Sequence, residues 1–470
     1  MTGSKLTFRA FAEISGILIG AVSIIYVSRV VGPEYLGFSA TTSAIMLLVS
    51  RLADGGLTSL ATQRLARDDE KASTLLALTI PAKIISSAIL IVCTLITSRL
   101  VPIDNRLFYF ISITVFMVFF DVCAPSWIFV ALGKINVVSA MRIASSILYG
   151  VSIFALIRKP DDWIFLPYIT LFNSFSSFAV VLYCLYRYRL YSIDTFSIDR
   201  HYFFRVRGIY QESYHFLKAD ISAYVYSTSD RLILYFFTGS YVVGLYEAAY
   251  KIINPFYSIS TIITPTVFRE LAQSFKQGNI ERVMAKFVFS MSLCTIPLGF
   301  FLLLFSNTVI DALYKSRFTE SSVALNILGF VITLGFVSGI IVLPFSAWNM
   351  SKEYGNSLFW GNILNTILNL ALIPFFGAVG AALATLGAKI IVGIVAYRYF
   401  IKATTYPILK ELSIFVFLSI IALLVVVVLR KYYINDYIGA ALFISVYGLG
   451  CLVVYFKYFK LRMGLGVTCQ

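Results

Sequence analysis

Apolar stretches long enough to cross a bilayer follow one another along almost the whole chain, with short polar breaks between them. They fall at about 10–31, 36–54, 74–97, 107–131, 137–157 and 164–186, then at about 214–237, 241–264, 285–306, 323–345, 357–374, 378–397, 408–429 and 437–456. A spanning helix needs roughly 20 predominantly apolar residues, so the pattern predicts an all-α polytopic membrane protein with about fourteen transmembrane helices. The runs at 36–54 and 357–374 are the shortest. The longest break, about 187–213, is rich in Tyr, Arg and Asp and reads as a link between two halves. No break leaves room for a soluble domain of ordinary size.

A repeat supports the division into halves. Gly32-Pro33-Glu34-Tyr35-Leu36-Gly37-Phe38 follows the first run, and Gly239-Ser240-Tyr241-Val242-Val243-Gly244-Leu245 follows the seventh, with the same glycine spacing and a further apolar run after each. The expected organisation is an N-terminal half over 1–190, a cytoplasmic linker over 191–213, a second half over 214–400, and two further helices with a cytoplasmic tail over 401–470.

Composition agrees with the pattern. Of the 470 residues, 59% are hydrophobic and 13% charged, against about 25% charged in soluble domains. The net charge of +15 would suggest nucleic acid in a soluble protein. Here most basic residues sit between apolar runs, where lipid headgroups and topology account for them and no nucleic-acid partner is expected. With the N-terminus in the cytoplasm, more than twice as many lysines and arginines fall on the cytoplasmic side as on the outer side, and an even span count returns the C-terminus to the same side. The first run lacks a cleavage site and reads as a span, not a signal peptide. The six cysteines form no metal pattern and read as buried thiols, so neither a metal nor a cofactor is expected.

Candidate chemistry lies in the charges inside the runs, because an ionised group at membrane depth is costly unless paired, hydrated or facing a polar cavity. Arg51 and Asp54 are three apart and can share a helix face. The tract from Gln63 to Lys71 reads as a cytoplasmic turn or short amphipathic helix. Lys83 lies about two turns into the third run, and Asp121 near the middle of the fourth, one turn before a kink expected at Pro125. Asp121 reads either as a tie to Lys83 or another helix, or as a cavity residue. Asp220, Asp230 and Arg231 lie in the seventh run. Glu247 and Lys251 lie in the eighth, spaced for an internal pair. Arg231 reads as a substrate contact or as the neutraliser of Asp220 or Glu247. Tyr224, Tyr226, Tyr235, Tyr246 and Tyr250 share these two helices, and tyrosine is enriched at membrane interfaces. Asn362, Asn365 and Asn369 argue for a helix buried in the bundle. The last two runs look peripheral and lipid-facing.

Three passages carry a family likeness: Tyr26-Val-Ser-Arg29-Val-Val-Gly32-Pro33-Glu34-Tyr35-Leu-Gly37; Asp230-Arg231 through Gly239 with Val243-Gly244-Leu245-Tyr246-Glu247-Ala248-Ala249-Tyr250-Lys251; and Gly377-Ala-Val-Gly380-Ala-Ala-Leu-Ala-Thr385. On these, the chain resembles the polysaccharide-export branch of the multidrug/oligosaccharidyl-lipid/polysaccharide exporter superfamily, and in particular the O-antigen lipid-linked-unit flippases of the bacterial inner membrane. The resemblance implies two six-helix bundles around an inverted-V cavity, two extra C-terminal helices, alternating access, and a polyprenyl-diphosphate-linked glycan as substrate. It implies membrane lipids, an O-antigen polymerase and a chain-length regulator as partners, with a proton or sodium counter-ion. Arg29, Lys83, Arg231 and Lys251 would be the cationic groups for the diphosphate, lining a path between the halves. Asp54, Asp121, Asp230 and Glu247 would be their partners or the coupling sites. A cation-coupled multidrug exporter of the same superfamily is the alternative. A membrane glycan polymerase or ligase is a further one, for which the outer connections, Thr97 to Asn105 and Asn307 to Ser322, are short.

Overall fold

The structure is a computed structural model that describes residues 3–190, 202–431 and 435–459. Most of the expected linker (191–201) and the C-terminal tail (460–470) lie outside the described residues. Among the described residues all regular elements are helical. They are α1 (Gly3–Val31), α2 (Pro33–Asp54), α3 (Leu57–Ala66), α4 (Ala72–Leu100), α5 (Asn105–Thr114), α6 (Met117–Cys123), α7 (Trp127–Ala131), α8 (Ile135–Leu156), α9 (Leu166–Arg187), α10 (Tyr202–Gln277), α11 (Ile280–Tyr314), α12 (Ser321–Ala347), α13 (Ser351–Ala403), α14 (Ile408–Arg430) and α15 (Asp436–Val454), with short 3-10 and π turns between or after them.

Among the described residues eleven stretches are long and apolar enough to cross a membrane. The difference from fourteen has local causes. α10 covers two apolar runs and bends at Gly239 (φ 80°, ψ 179°), and α13 covers two and bends at Gly377 (φ 52°, ψ −126°). The first run appears as a shorter apolar stretch, Leu18–Val31. The chain is therefore an all-α, multi-pass membrane protein. Two expectations change. The span at 36–54 starts earlier, at Pro33, and α2 reaches 22 residues. The link at 187–213 is not loop throughout, because α10 is already helical from Tyr202. Val206, Ile209, Tyr210 and Phe216 pack with Leu57, Leu60 and Ala82, an i, i+3, i+4 stripe that the polar residues around it obscure.

The fourth apolar run is broken twice. α5 gives way to α6 at Val115–Phe116, and α6 ends at Cys123 before Ala124, which is extended (φ −70°, ψ 114°) as the residue ahead of Pro125.

The described chain forms two compact units, Met1–Gly244 and Leu245–Gln470. In the first, α1 packs on α8, α8 on α9, α9 on α6, α6 on α4, and α4 on α2. Its core includes Phe38, Phe110 and Ile111, with Trp163 stacked at 4.6 Å on Tyr35 and at 5.9 Å on Phe110. Arg106 caps this end, bonded to Glu34 at 2.8 Å and Asp104 at 3.0 Å. The hydrogen bond from Arg106 holds the Asp104 carboxyl below the usual carboxylate range.

The glycine repeat is structural. Gly32 takes φ 89°, ψ 177° ahead of α2, nearly the same backbone as Gly239, a left-handed region that a side chain disfavours. The later glycines of the two motifs meet reciprocally. A Cβ on Gly37 would lie 1.8 Å from the Ser240 carbonyl oxygen, and one on Gly244 would lie 1.8 Å from that of Pro33. Glycine here permits backbone-to-backbone contact that alanine forbids.

In the second unit α12 packs between α11 and α13, and α14 and α15 pack on α11. Arg430 donates to Asp436 at 2.8 Å, and Thr308 of α11 donates to Asp436 at 2.7 Å. The outer faces of this last pair expose Phe417, Leu424, Ile444 and Leu449, as expected for helices against lipid.

Candidate functional site

The most developed polar cluster is built at the end of α2. Gly55 (φ 61°) closes α2 and Gly56 (φ 78°) opens α3, both left-handed. The turn leaves Asp54 facing the first turn of α3, where its carboxylate accepts from the Thr58 amide at 3.2 Å and the Thr58 hydroxyl at 2.5 Å. Lys83 of α4 completes the cluster. Its ammonium lies 2.6 Å from Asp54 Oδ1 and 2.6 Å from Thr58 Oγ1. The Lys83 side chain is 1% exposed and that of Asp54 13%. Pairing plus a hydroxyl is what a charge needs to persist at such burial. α10 seals the turn: Ser213 donates to the Gly55 carbonyl at 2.8 Å, and a Cβ on Gly56 would lie 2.5 Å from the Ser213 carbonyl.

One choice that the sequence left open is decided here. Lys83 is tied to Asp54 and not to Asp121, because the Gly55–Gly56 turn carries Asp54 against α4. Arg51, three residues before Asp54, pairs with Asp220 of α10 at 4.0 Å. The 63–71 tract holds the end of α3 and a turn, where Arg64 pairs with both Glu70 and Glu212. Thr58 escaped sequence reasoning. Its signal was the four-residue spacing after Asp54 across two glycines.

The other candidates are dispersed. Asp121 on α6 is exposed and faces the Ser174 hydroxyl of α9, so it is tied to another helix. Arg29 is exposed in the last turn of α1. Asp230 is buried, and its carboxylate accepts from the Arg231 amide at 2.9 Å. The half-buried Arg231 guanidinium donates to the Ser227 carbonyl at 3.3 Å. In the second unit Glu247 and Lys251 form the expected i, i+4 pair at 3.1 Å, with Lys251 30% exposed and Glu247 5%. Of the tyrosines, Tyr224 is buried and donates to the Ala44 carbonyl at 3.0 Å, and Tyr246 is fully buried. Both are core residues, while Tyr226, Tyr235 and Tyr250 are half-buried. Asn365 and Asn369 are buried in α13 and bonded to each other at 3.4 Å, as the asparagine pattern suggested. Among the described residues no three His, Cys, Asp or Glu side chains gather as a metal-ligating group.

Comparison with known proteins places this architecture. Residues 4–275 match the family described as polysaccharide biosynthesis protein, and residues 240–449 match the family described as lipid II flippase MurJ. A probable low-salt glycan biosynthesis flippase, Agl15 of Haloferax volcanii, is 31% identical over 192 residues, which is 40% of this chain and 41% of that protein. The match thus spans less than half the length of that relative. A putative O-antigen transporter of Escherichia coli K12 is 23% identical over 407 residues, 83% of this chain and 96% of that protein. The solved structure of the lipid II flippase MurJ in an inward closed conformation shares the fold, with a TM-score of 0.77 at 15% identity over 96% of this chain and 99% of that one. The first match alone covers more than half of the sequence, and the chain belongs to the polysaccharide biosynthesis protein family.

Proposed function

We propose that the chain is a flippase that moves a polyprenyl-diphosphate-linked oligosaccharide, of the O-antigen repeat-unit kind, from the cytoplasmic to the outer leaflet, and that it is a transporter and not an enzyme. The observation that carries the reading is a set of cations held within membrane-spanning helices of a polysaccharide biosynthesis protein, with Arg231 half-buried and Lys251 partly exposed. A lipid tail can stay in the bilayer during transfer, but a diphosphate cannot cross hydrocarbon without positive partners. The named relatives favour a lipid-linked glycan over the organic cations of a multidrug exporter, and over a polymerase or ligase reaction.

In this reading Arg29, Arg231 and Lys251 contact the diphosphate. Arg231 is the first choice, since its planar fork can grip two phosphate oxygens. Lys83 takes part only by exchanging the Asp54 carboxylate for phosphate. Asp121, exposed in a span and bonded to the neutral Ser174 hydroxyl, is the preferred proton or sodium coupling site, ahead of Asp54 and Glu247, which are ion-paired, and of buried Asp230. The proposal carries forward two six-helix bundles with an inverted-V cavity, alternating access, a bacterial inner-membrane location with both termini cytoplasmic, and an O-antigen polymerase and chain-length regulator as partners. Reporter fusions at Asp199 and Gln470 test the orientation, and a signal from the outer compartment at either site reverses it.

The functional test is surface glycan formation normalised to folded protein in the membrane. A deletion strain should retain lipid-linked glycan on the cytoplasmic face. Arg231→Gln should lower export at normal abundance, and Arg231→Lys should be milder. Full export by Arg231→Gln removes Arg231 from the path. Normal exposure of the glycan in the deletion strain rejects the flippase reading.

A further inference from the structure

A small cavity in the first unit is lined by hydroxyls from α2, α5 and α9, at the point where α5 gives way to α6. The space open to the centre of a water molecule is about 10 Å³, and one water requires roughly that volume. Three of the hydroxyls have already committed their protons. Ser43 donates to the Ser39 carbonyl at 2.8 Å, Thr114 to that of Phe110 at 2.7 Å, and Thr170 to that of Leu166 at 3.0 Å. Each hydroxyl has one proton and two lone pairs, so these three offer only acceptors to the cavity. The fourth differs. Thr42 is 2% exposed, and its hydroxyl has no hydrogen-bond partner within the protein. A buried hydroxyl left without a partner is unfavourable, because it has given up its hydrogen bonds to water.

The geometry points to a single exchangeable water molecule bound here, accepting from Thr42 and donating to two of the hydroxyls of Ser43, Thr114 and Thr170. One water satisfies the orphan donor and uses lone pairs that are otherwise idle. Among the described residues no charged side chain lines the cavity, so a sodium ion would shed its hydration without a counter-charge, which the membrane interior disfavours. The water lies beside the interruption at Val115–Phe116, between Thr114 and Met117, which both line the cavity. It supplies hydrogen bonds that do not depend on one fixed geometry, and so makes a hydrated joint between α5 and α6. Exposed Ser43 opens the cavity to the surface of the unit.

Two methionines make the site readable. Met46 and Met117 line the cavity, and Met46 is only 1% exposed. Met284, 0% exposed in the other unit, is the dry control. X-ray radiolytic footprinting of the full chain in lipid nanodiscs, read by mass spectrometry, generates hydroxyl radical from bound water. Met46 should oxidise at least about fivefold faster than Met284, because ordered water lies against it. After a switch to oxygen-18 water, Met46 should take up the heavy label. Thr42→Val should drop Met46 to the Met284 level, while Thr42→Ser keeps it high. Equal rates for Met46 and Met284 in the unaltered chain overturn the assignment, a comparison that needs no variant to fold. Undiminished labelling in Thr42→Val overturns it too. A fall in Met46 labelling when sodium replaces choline in the buffer identifies a cation in place of water and also rejects the proposal.

Discussion

Asp54–Lys83 and Glu247–Lys251 are both carboxylate–ammonium pairs in spanning helices, and they are built in different ways. The second is local: four residues on one helix, acid first, with Lys251 30% exposed. The first joins the end of α2 to α4 through a turn of two left-handed glycines, and Lys83 is 1% exposed. A local pair follows from helix geometry and needs little from the fold. The buried pair exists only if the Gly55–Gly56 turn, α3 and the N-terminal part of α10 are all in place. The difference predicts separate work: Asp54–Lys83 holds elements of the first unit together, while Lys251, 30% exposed in its local pair, is the member proposed to meet a ligand.

The largest effect should come from breaking the lock. Lys83→Met strips a buried carboxylate of its cation, and unfolding free energy should fall by about 3–5 kcal/mol. Asp54→Asn combined with Lys83→Met should recover much of the loss, since no uncompensated charge then remains. A thermal or steric-trapping stability series on the purified protein measures both. A loss from Lys83→Met no greater than that of an exposed lysine would break the comparison.

Thr58→Val sharpens it. The hydroxyl bridges Asp54 and Lys83, so its removal should cost about 1–2 kcal/mol with the charges intact. A double-mutant cycle on Glu247 and Lys251 should return only about 0.3–0.5 kcal/mol of coupling, as for other i, i+4 pairs. A coupling equal to that of Asp54–Lys83 would erase the distinction. Transport should rank the other way, with Lys251→Gln losing export at near-normal stability.

The smallest effect concerns a third pair, Asp104 and Arg106, outside the apolar core. The Asp104 carboxyl titrates lower in the folded chain than in the unfolded one. Its stabilisation is therefore present above about pH 4 and is lost as pH falls through the lowered folded value. Asp104→Asn should melt slightly below the unaltered protein at pH 7, and the gap should close as the solution is acidified. A gap that persists at low pH would remove the charge from the explanation.

The same contrast explains what could be read from the sequence. The spans, both glycine turns, the break at Pro125 and the Glu247–Lys251 pair were all legible because each is encoded within a few residues. The partner of Lys83 was not. Asp54 and Asp121 were both acidic and at plausible depth, and periodicity along a helix does not say which neighbour it meets. Only the two consecutive left-handed glycines, with Thr58 four residues after Asp54, bore on the choice. The helical start of α10 was hidden for another reason. Val206, Ile209, Tyr210 and Phe216 make a narrow apolar stripe among Arg, Glu and His, and the average composition of the stretch reads as loop.

The most direct test of the transport reading is made in proteoliposomes. The purified chain is reconstituted with a fluorescent polyprenyl-diphosphate oligosaccharide, and the glycan's exposure on each leaflet is followed with a membrane-impermeant quencher. The account predicts leaflet exchange well above protein-free liposomes, slowed by Arg231→Gln and Lys251→Gln in correctly folded protein. Exchange no faster than in protein-free liposomes, with folded protein present and gradients of protons and sodium each imposed in turn, would contradict it.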